Sequence, residues 1–280
     1  MLIALVSAKG APGVTTSTLA MALTWPRAVV LAECDPRGGD VLAGFAAGRL
    51  PADRGLVELQ IRGRNNTMAN ELPSQLVQLP GTSQAQYLLP GIESAQQAGA
   101  IDWDQLAGVF RRLHDERQVD VLADCGEVHA QHSPAPILRA ADLVVLVART
   151  TMPAVRVAVK TAAALRTDLQ NNGMGADRLV ALLVSSPHGY SKDEIGKQLD
   201  LPVLGEIPWH ETAARVLSEG ADMRDRYLHS KLVKAASDAG QRAGTWAWQH
   251  YSEADAMRRS AQPITNGYPV PTMMGERRGR

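Results

Sequence analysis

Five short apolar runs dictate what this chain can become. Leu2–Val6, Ala28–Ala32, Val119–Ala123, Leu143–Ala148 and Leu179–Val184 are almost unbroken stretches of Val, Leu, Ile and Ala. A strand with one wet face alternates apolar and polar residues, whereas a continuous run belongs to a strand covered on both faces, as in a parallel sheet. Helical patterns lie between the runs: Thr15–Leu23, Trp103–His114, Ala154–Leu169 and Lys192–Leu199. The first is stopped by Trp25-Pro26 and the third by Asn171-Asn172-Gly173. The expectation is an α/β fold with a mostly parallel central sheet, helices on both faces, right-handed crossovers and a ligand site at the carboxyl ends of the strands.

With 280 residues and 45% hydrophobic content, the chain can bury a large core. One domain over residues 1–256 is expected, followed by a disordered tail over 257–280, because Ser260–Arg280 is rich in Gly, Pro, Arg and Met without periodicity. Arg49–Gly99 is the least regular stretch. It holds a helical Ala52–Ile61, a polar Arg62–Asn70, and two short apolar pieces ending at Pro80 and Pro90 that read as short edge strands. None of the apolar runs is long enough to cross a bilayer. The N-terminus enters a strand directly, without a charged region and cleavage site, so a cytoplasmic protein is expected. Cys34 and Cys125 give no disulfide framework.

Charge excludes some partners. The 29 basic and 29 acidic residues cancel, and aromatic content is 4%, so neither a general attraction to nucleic acid nor a base-stacking surface is available. Sequence-specific nucleic-acid binding is not expected. Trp246, Trp248, Arg258 and Arg259 are interrupted by Glu253 and Asp255, which points to an ordinary surface helix rather than a membrane anchor. Cys125, His129 and His132 have a loose metal-ligand spacing, but three ligands without a fourth more often mean a solvated loop.

Between the first strand and first helix runs Ser7-Ala-Lys9-Gly10-Ala11-Pro12-Gly13-Val14-Thr15-Thr16. Gly10 and Gly13 permit backbone conformations that turn successive N–H groups inward, the helix directs its positive end at the same spot, and the Thr15 hydroxyl can ligate Mg²⁺. Taken alone, the loop fits an ordinary strand-to-helix turn equally well. A phosphate-binding loop of the form G-x-x-x-x-G-K-[ST] would carry lysine where this chain has Val14.

Further segments add to the loop: Val29-Val-Leu-Ala-Glu33-Cys-Asp35-Pro-Arg37-Gly-Gly-Asp40, Val119-Asp-Val-Leu-Ala-Asp124 and Leu201-Pro-Val-Leu-Gly-Glu-Ile-Pro208. In this order and spacing they resemble the ParA/MinD family of P-loop ATPases with a deviant Walker A motif, over roughly residues 1–235. The resemblance implies ATP and Mg²⁺ as ligands, held by Lys9, Gly10, Ala11, Pro12, Gly13, Val14, Thr15 and Thr16, with Ser185 and Pro208 at the base and Thr15, Asp35 and Asp124 at the metal. Lys9 matches the signature lysine that reaches the partner's phosphates in a sandwich dimer, so a homodimer and a catalytic role for Lys9 are implied. Asp35 matches the aspartate that positions the attacking water, Glu33 an acidic residue near hydrated Mg²⁺, and Asp124 the Walker B aspartate. Ser185 stands where the family has an adenine-reading asparagine, Trp209 follows Pro208 as a stacking surface, and Asp40 is expected to pair with Arg37.

Val14 removes a positive charge, Pro12 has no N–H to donate, and Ala8 and Ala11 replace glycines of the family pattern. Losing one charge-assisted hydrogen bond costs roughly 1.5–3 kcal/mol, or one to two decades of affinity, and hydrolysis should suffer more than binding. The resemblance thus implies a nucleotide-binding, dimerising switch that positions a cellular assembly through a protein partner, with slow or lost ATP hydrolysis. The alternative is a pseudo-ATPase adaptor that keeps the fold and dimer surface but binds no nucleotide.

Overall fold

The computed structural model describes residues 1–8, 13–48, 51, 53–64, 67–80, 85–128, 130–221, 227 and 229–261, with 254–261 as helix backbone. Lys9 to Pro12, His129 and the tail beyond Ala261 therefore lie outside the described residues.

The elements run β1 (Leu2–Ser7), α1 (Val14–Leu23), β2 (Val29–Glu33), α2 (Leu56–Arg62), α3 (Met68–Gln75), β3 (Val77–Gln78), β4 (Gln86–Leu89), α4 (Trp103–Arg117), β5 (Asp120–Glu127), α5 (Ala135–Ala140), β6 (Leu143–Arg149), α6 (Met152–Asn172), β7 (Leu179–Val184), α7 (Lys192–Leu199), β8 (Val203–Ile207), α8 (Glu211–Glu219) and α9 (Lys231–Ala261). They form one eight-stranded sheet of order β3-β4-β2-β5-β1-β6-β7-β8. Every pairing is parallel except the short β3–β4 edge. The expected α/β sheet is present, and the two apolar pieces ending at Pro80 and Pro90 form short strands, of which only β3 is an edge strand; β4 lies between β3 and β2.

Several boundaries differ. β5 continues through Asp124 to Glu127, so the acidic residue expected just past the strand lies within it. α6 starts two residues earlier than expected, where Pro153 fits the first helical turn, and runs on to Asn172. The polar stretch 62–70 folds into α3 from Met68 onwards, with Pro73 inside the helix. α9 reaches Ala261, so the domain limit expected after residue 256 falls inside a helix.

The sheet divides the interior into two cores. One face packs against a layer that includes Leu106, Phe110, Ile137, Leu165 and Ile195 of α4, α5, α6 and α7. The other carries α1, α8 and α9, with Leu19, Met21, Val216 and a stripe of Ala236, Ala239, Ala243 and Ala247. Small residues let α9 lie close to α1: Cβ atoms placed on Gly240 and Gly244 would come within 3.4 and 3.5 Å of the Trp25 ring. Trp25, 2% exposed, fills that seam. Its indole Nε1 donates to Asp120 Oδ2 at 2.9 Å, and Arg27 Nη2 donates to the same oxygen at 2.8 Å. Asp120 opens β5, so this polar knot sits at the end of the sheet opposite the strands' carboxyl edge. Among the described residues no helix is long and apolar enough to cross a membrane.

Trp25 thus combines packing with a buried hydrogen bond, and two substitutions separate them. Trp25→Phe should destabilise the fold by about 1–2 kcal/mol through the lost donor, and Trp25→Ala by about 3–5 kcal/mol through the cavity as well. Urea unfolding followed by far-ultraviolet circular dichroism gives both values; equal losses would mean that packing contributes nothing at this seam.

Candidate functional site

The strand-to-helix turn leads into α1 at Gly13, whose φ of +87° is left-handed and suits glycine. Its carbonyl accepts the Ser17 N–H at 2.9 Å, starting the helix. Val14 is 0% exposed and belongs to the core beneath α1. Thr15 and Thr16 line a cleft at this helix end. The Thr15 hydroxyl also hydrogen-bonds the Asp124 carboxylate.

Strand register delivers the acids. Asp124 lies opposite Leu5 of β1 and Glu33 of β2, and its carbonyl accepts the Cys34 N–H at 2.7 Å. Asp124 is 2% exposed. Burial pushes its carboxyl up to about 7; donors from Thr15 and Gly126 oppose the rise, and the neighbouring Asp35 and Glu33 charges add to it. Asp35, also raised chiefly by burial, accepts the Arg37 N–H at 2.8 Å. It packs on Gly126, where a Cβ would stand 2.1 Å from its carboxyl carbon, and Gly126 has φ +62°. Any side chain at 126 would collide with Asp35 and strain the backbone. The sequence-derived trio Thr15, Asp35 and Asp124 is therefore brought together at one rim.

Other expectations need correction. Glu33 was expected near hydrated metal, but its two oxygens hold the backbone: Oε1 accepts from Val41 at 2.8 Å and Oε2 from Gly91 at 3.2 Å. It anchors the loop after β2. Arg37 pairs with Glu127 rather than with Asp40, and Asp40 instead faces the cleft. The Ser185 hydroxyl, expected at a base, is engaged by Glu206, and Ser185 is not among the residues lining the cleft, although Pro208 and Trp209 are. Cys125 points into the core and Gly99 lies against His132, so the loose Cys/His spacing does not form a cluster among the described residues.

The cleft has a volume of about 620 Å³. Its walls are the head of α1, Asp40 and Val41 after β2, the strand ends Arg149, Val184 and Ile207, and Pro208, Trp209 and His210 at the turn into α8. His210 Nδ1 accepts the Ala213 N–H at 3.2 Å and so fixes that turn. Asp35 and Asp124 stand outside the lining, and Asp124 joins it through Thr15. Sequence reasoning missed Arg149; the available signal was a cation closing an apolar strand on the sheet's carboxyl edge.

These residues suit a hard cation of a particular kind. The donors are all oxygens, from one hydroxyl and carboxylates, which is the chemistry of Mg²⁺. No group of three or more His, Cys, Asp or Glu among the described residues converges to cage an ion. That fits Mg²⁺ held by the Thr15 hydroxyl, ligand phosphates and waters, with Asp35 and Asp124 acting through the waters, since Mg²⁺ usually keeps part of its hydration shell.

A scan against protein-family models finds no match, and a search of curated proteins finds none either. Solved structures do match. The cell-division ATPase MinD of Pyrococcus furiosus superposes with TM-score 0.67 at 20% identity, covering 87% of this chain and 98% of that one. MinD of Pyrococcus horikoshii OT3, solved with Mg-ADP, gives 0.68 at 19% identity over 89% and 98%. A ParA-family ATPase from Chlorobium tepidum TLS gives 0.66 at 18% identity over 86% and 97%. The chain has the fold of the MinD and ParA P-loop ATPases, over nearly their full length.

The buried Asp124 makes the ligand-free protein sensitive to pH. Its carboxyl is about 7 folded, against 3.8 as the ordinary value, so the folded state holds a proton that the unfolded chain has released. The contribution of Asp124 to stability is fully present below about pH 4, declines as pH rises towards 7 and is lost above it. Asp124→Asn removes the buried charge. With metal chelated it should stabilise the fold at pH 8 by about 1–3 kcal/mol, a Tm rise of roughly 2–12 °C at ~2–4 °C per kcal/mol, and give no gain at pH 4. Equal destabilisation at both pH values, measured by differential scanning fluorimetry, would refute this account.

Proposed function

We propose that this protein is a cytoplasmic, MinD/ParA-like switch that binds ATP with Mg²⁺, dimerises, and positions a cellular assembly through a protein partner, with ATP hydrolysis slow or lost. The observation that carries the reading is the contact of the Thr15 hydroxyl with Asp124, next to Asp35, at the head of a helix that opens onto a cleft. A helix N-terminus, a glycine turn and a hydroxyl–carboxylate pair are the parts needed for a Mg²⁺-bound phosphate. Bound Mg²⁺ would neutralise phosphate charge there. Thr15 would hold it, Asp35 and Asp124 would order its waters, and Asp35 would orient an attacking water. The names of the structural neighbours, cell-division MinD and ParA-family ATPases, support the positioning role by fold.

Slow hydrolysis follows from Val14, whose side chain is packed into the core and offers the phosphates no charge. The same observation favours the second reading, a pseudo-ATPase adaptor that binds no nucleotide. Calorimetry with ATP, ADP and GTP, with and without Mg²⁺, separates the two. Binding should depend on Mg²⁺, and Thr15→Ala should abolish that dependence while leaving the fold intact. Metal-independent binding in the wild type would remove Thr15, Asp35 and Asp124 from the metal, and no binding at all would leave the adaptor.

Dimerisation is assigned to Lys9, which would supply an ammonium to the partner's phosphates, so nucleotide and dimer stabilise each other by linkage. Sedimentation velocity with and without ATP should show nucleotide-induced dimers that Lys9→Ala abolishes. An unchanged monomer–dimer distribution in the variant would count against the sandwich arrangement.

A further inference from the structure

Arg149 is the only Lys or Arg among the described residues lining the cleft. It closes β6 and lies in register with Val184 of β7, which is in turn the register partner of Ile207 in β8. Register partners in adjacent strands project to the same face of a sheet. A Cβ placed on Gly13 would sit 4.0 Å from Val184 Cγ2, so Arg149 emerges one strand spacing, about 5 Å, from the residue beside the head of α1. The residue that follows it is pinned: the Thr150 N–H donates to the Val184 carbonyl at 3.1 Å, and the Thr150 carbonyl accepts from the Tyr190 N–H at 2.8 Å. An arginine side chain spans that spacing.

Among the described residues its head group has no hydrogen-bond or ion-pair partner. Arg149 Nε is buried without a hydrogen bond, and the guanidinium rests 5.5 Å from the ring centroid of Trp209, itself 50% exposed at the cleft. Asp40 and Glu211 also line the cleft, yet neither forms an ion pair with it. A planar, permanently charged fork beside a helix N-terminus, kept off the nearby carboxylates, is suited to a phosphate. We infer that Arg149 supplies from within the same chain the positive charge for a ligand's phosphate that Val14 leaves out; this rests on the nucleotide reading above and names the residue that makes it possible.

The experiment is calorimetry on the full chain with inorganic pyrophosphate, ADP and adenosine as probes. Arg149→Gln, and Arg149→Met, which keeps the stem over Trp209, should each weaken pyrophosphate and ADP by about 10–100-fold and leave adenosine unchanged. Arg149→Lys should restore part of the loss. In the wild type, pyrophosphate should also change the Trp209 fluorescence as the guanidinium leaves the ring, a change missing in Trp209→Phe and in Arg149→Met. Equal pyrophosphate affinity in the wild type and both neutral variants overturns the inference alone. Equal losses for adenosine and ADP overturn it too, because Arg149 would then be reading the base. A wild type that binds none of the probes overturns the nucleotide reading and this inference together.

Discussion

The carboxyl end of the sheet depends on β5 being held between β1 and β2. That pairing sets Asp124 opposite Leu5 and Glu33, and the side-chain period of a strand makes register decisive. A slip of one residue would turn Asp124 into the core and bring Cys125 to the rim. Both faces of β5 are covered, so its apolar residues tolerate no such shift: Val121, Leu122 and Ala123 are each fully buried. The same register brings the loops after β1 and β2 to either side of one carboxylate. Gly126 then turns left-handed, which gives Asp35 the space to approach it. The acidic rim is thus a consequence of strand order, not of any single residue's preference.

That rim is electrostatically unbalanced in the ligand-free chain. Burial, with repulsion from neighbouring carboxylates, raises the carboxyls of Glu33, Asp35 and Asp124, and burying a charge without a partner is costly. Glu33 is offset locally by backbone N–H groups. Among the described residues Asp124 has only the Thr15 hydroxyl and one N–H as donors, too little for a full charge, and burial leaves it titrating near neutrality. A divalent cation at Thr15 would remove the imbalance. Structural and functional pressures therefore act on the same atoms, and a change that relieves one disturbs the other.

The architecture was legible because continuous apolar runs have one good explanation, a doubly covered parallel strand. Elements that lack such runs were harder to see. α5 has six residues and opens with a proline, too short to show a period, and β8 is broken by Gly205 and Glu206. α8 does carry apolar residues at Ala213, Val216 and Leu217 in helical spacing, but the preceding Ile-Pro-Trp-His resembles a loop. At the site, Thr15, Asp35 and Asp124 could be found because each lies beside a continuous apolar run of the sequence, in a recognisable order. Glu33 could not be assigned correctly, since its role depends on the folding back of Val41 and Gly91, which lie 8 and 58 residues away. Arg149 carried no motif at all; only the juxtaposition of β6, β7 and α1 gives it meaning.

The absence of lysine at position 14 bears differently on binding and on turnover. Affinity sums many contacts, so a second cation and Mg²⁺ would offset much of a loss of roughly 1.5–3 kcal/mol. Rate depends on charge placed where it develops in the transition state, and a displaced cation serves that purpose poorly. Arg149 must also leave Trp209, at about 0.5–1 kcal/mol for an exposed cation–π contact. That cost is small against phosphate binding. On the proposed reading, such a chain would still sense an anionic ligand while hydrolysing it slowly. Its timing as a switch would then be set by ligand exchange rather than by chemistry.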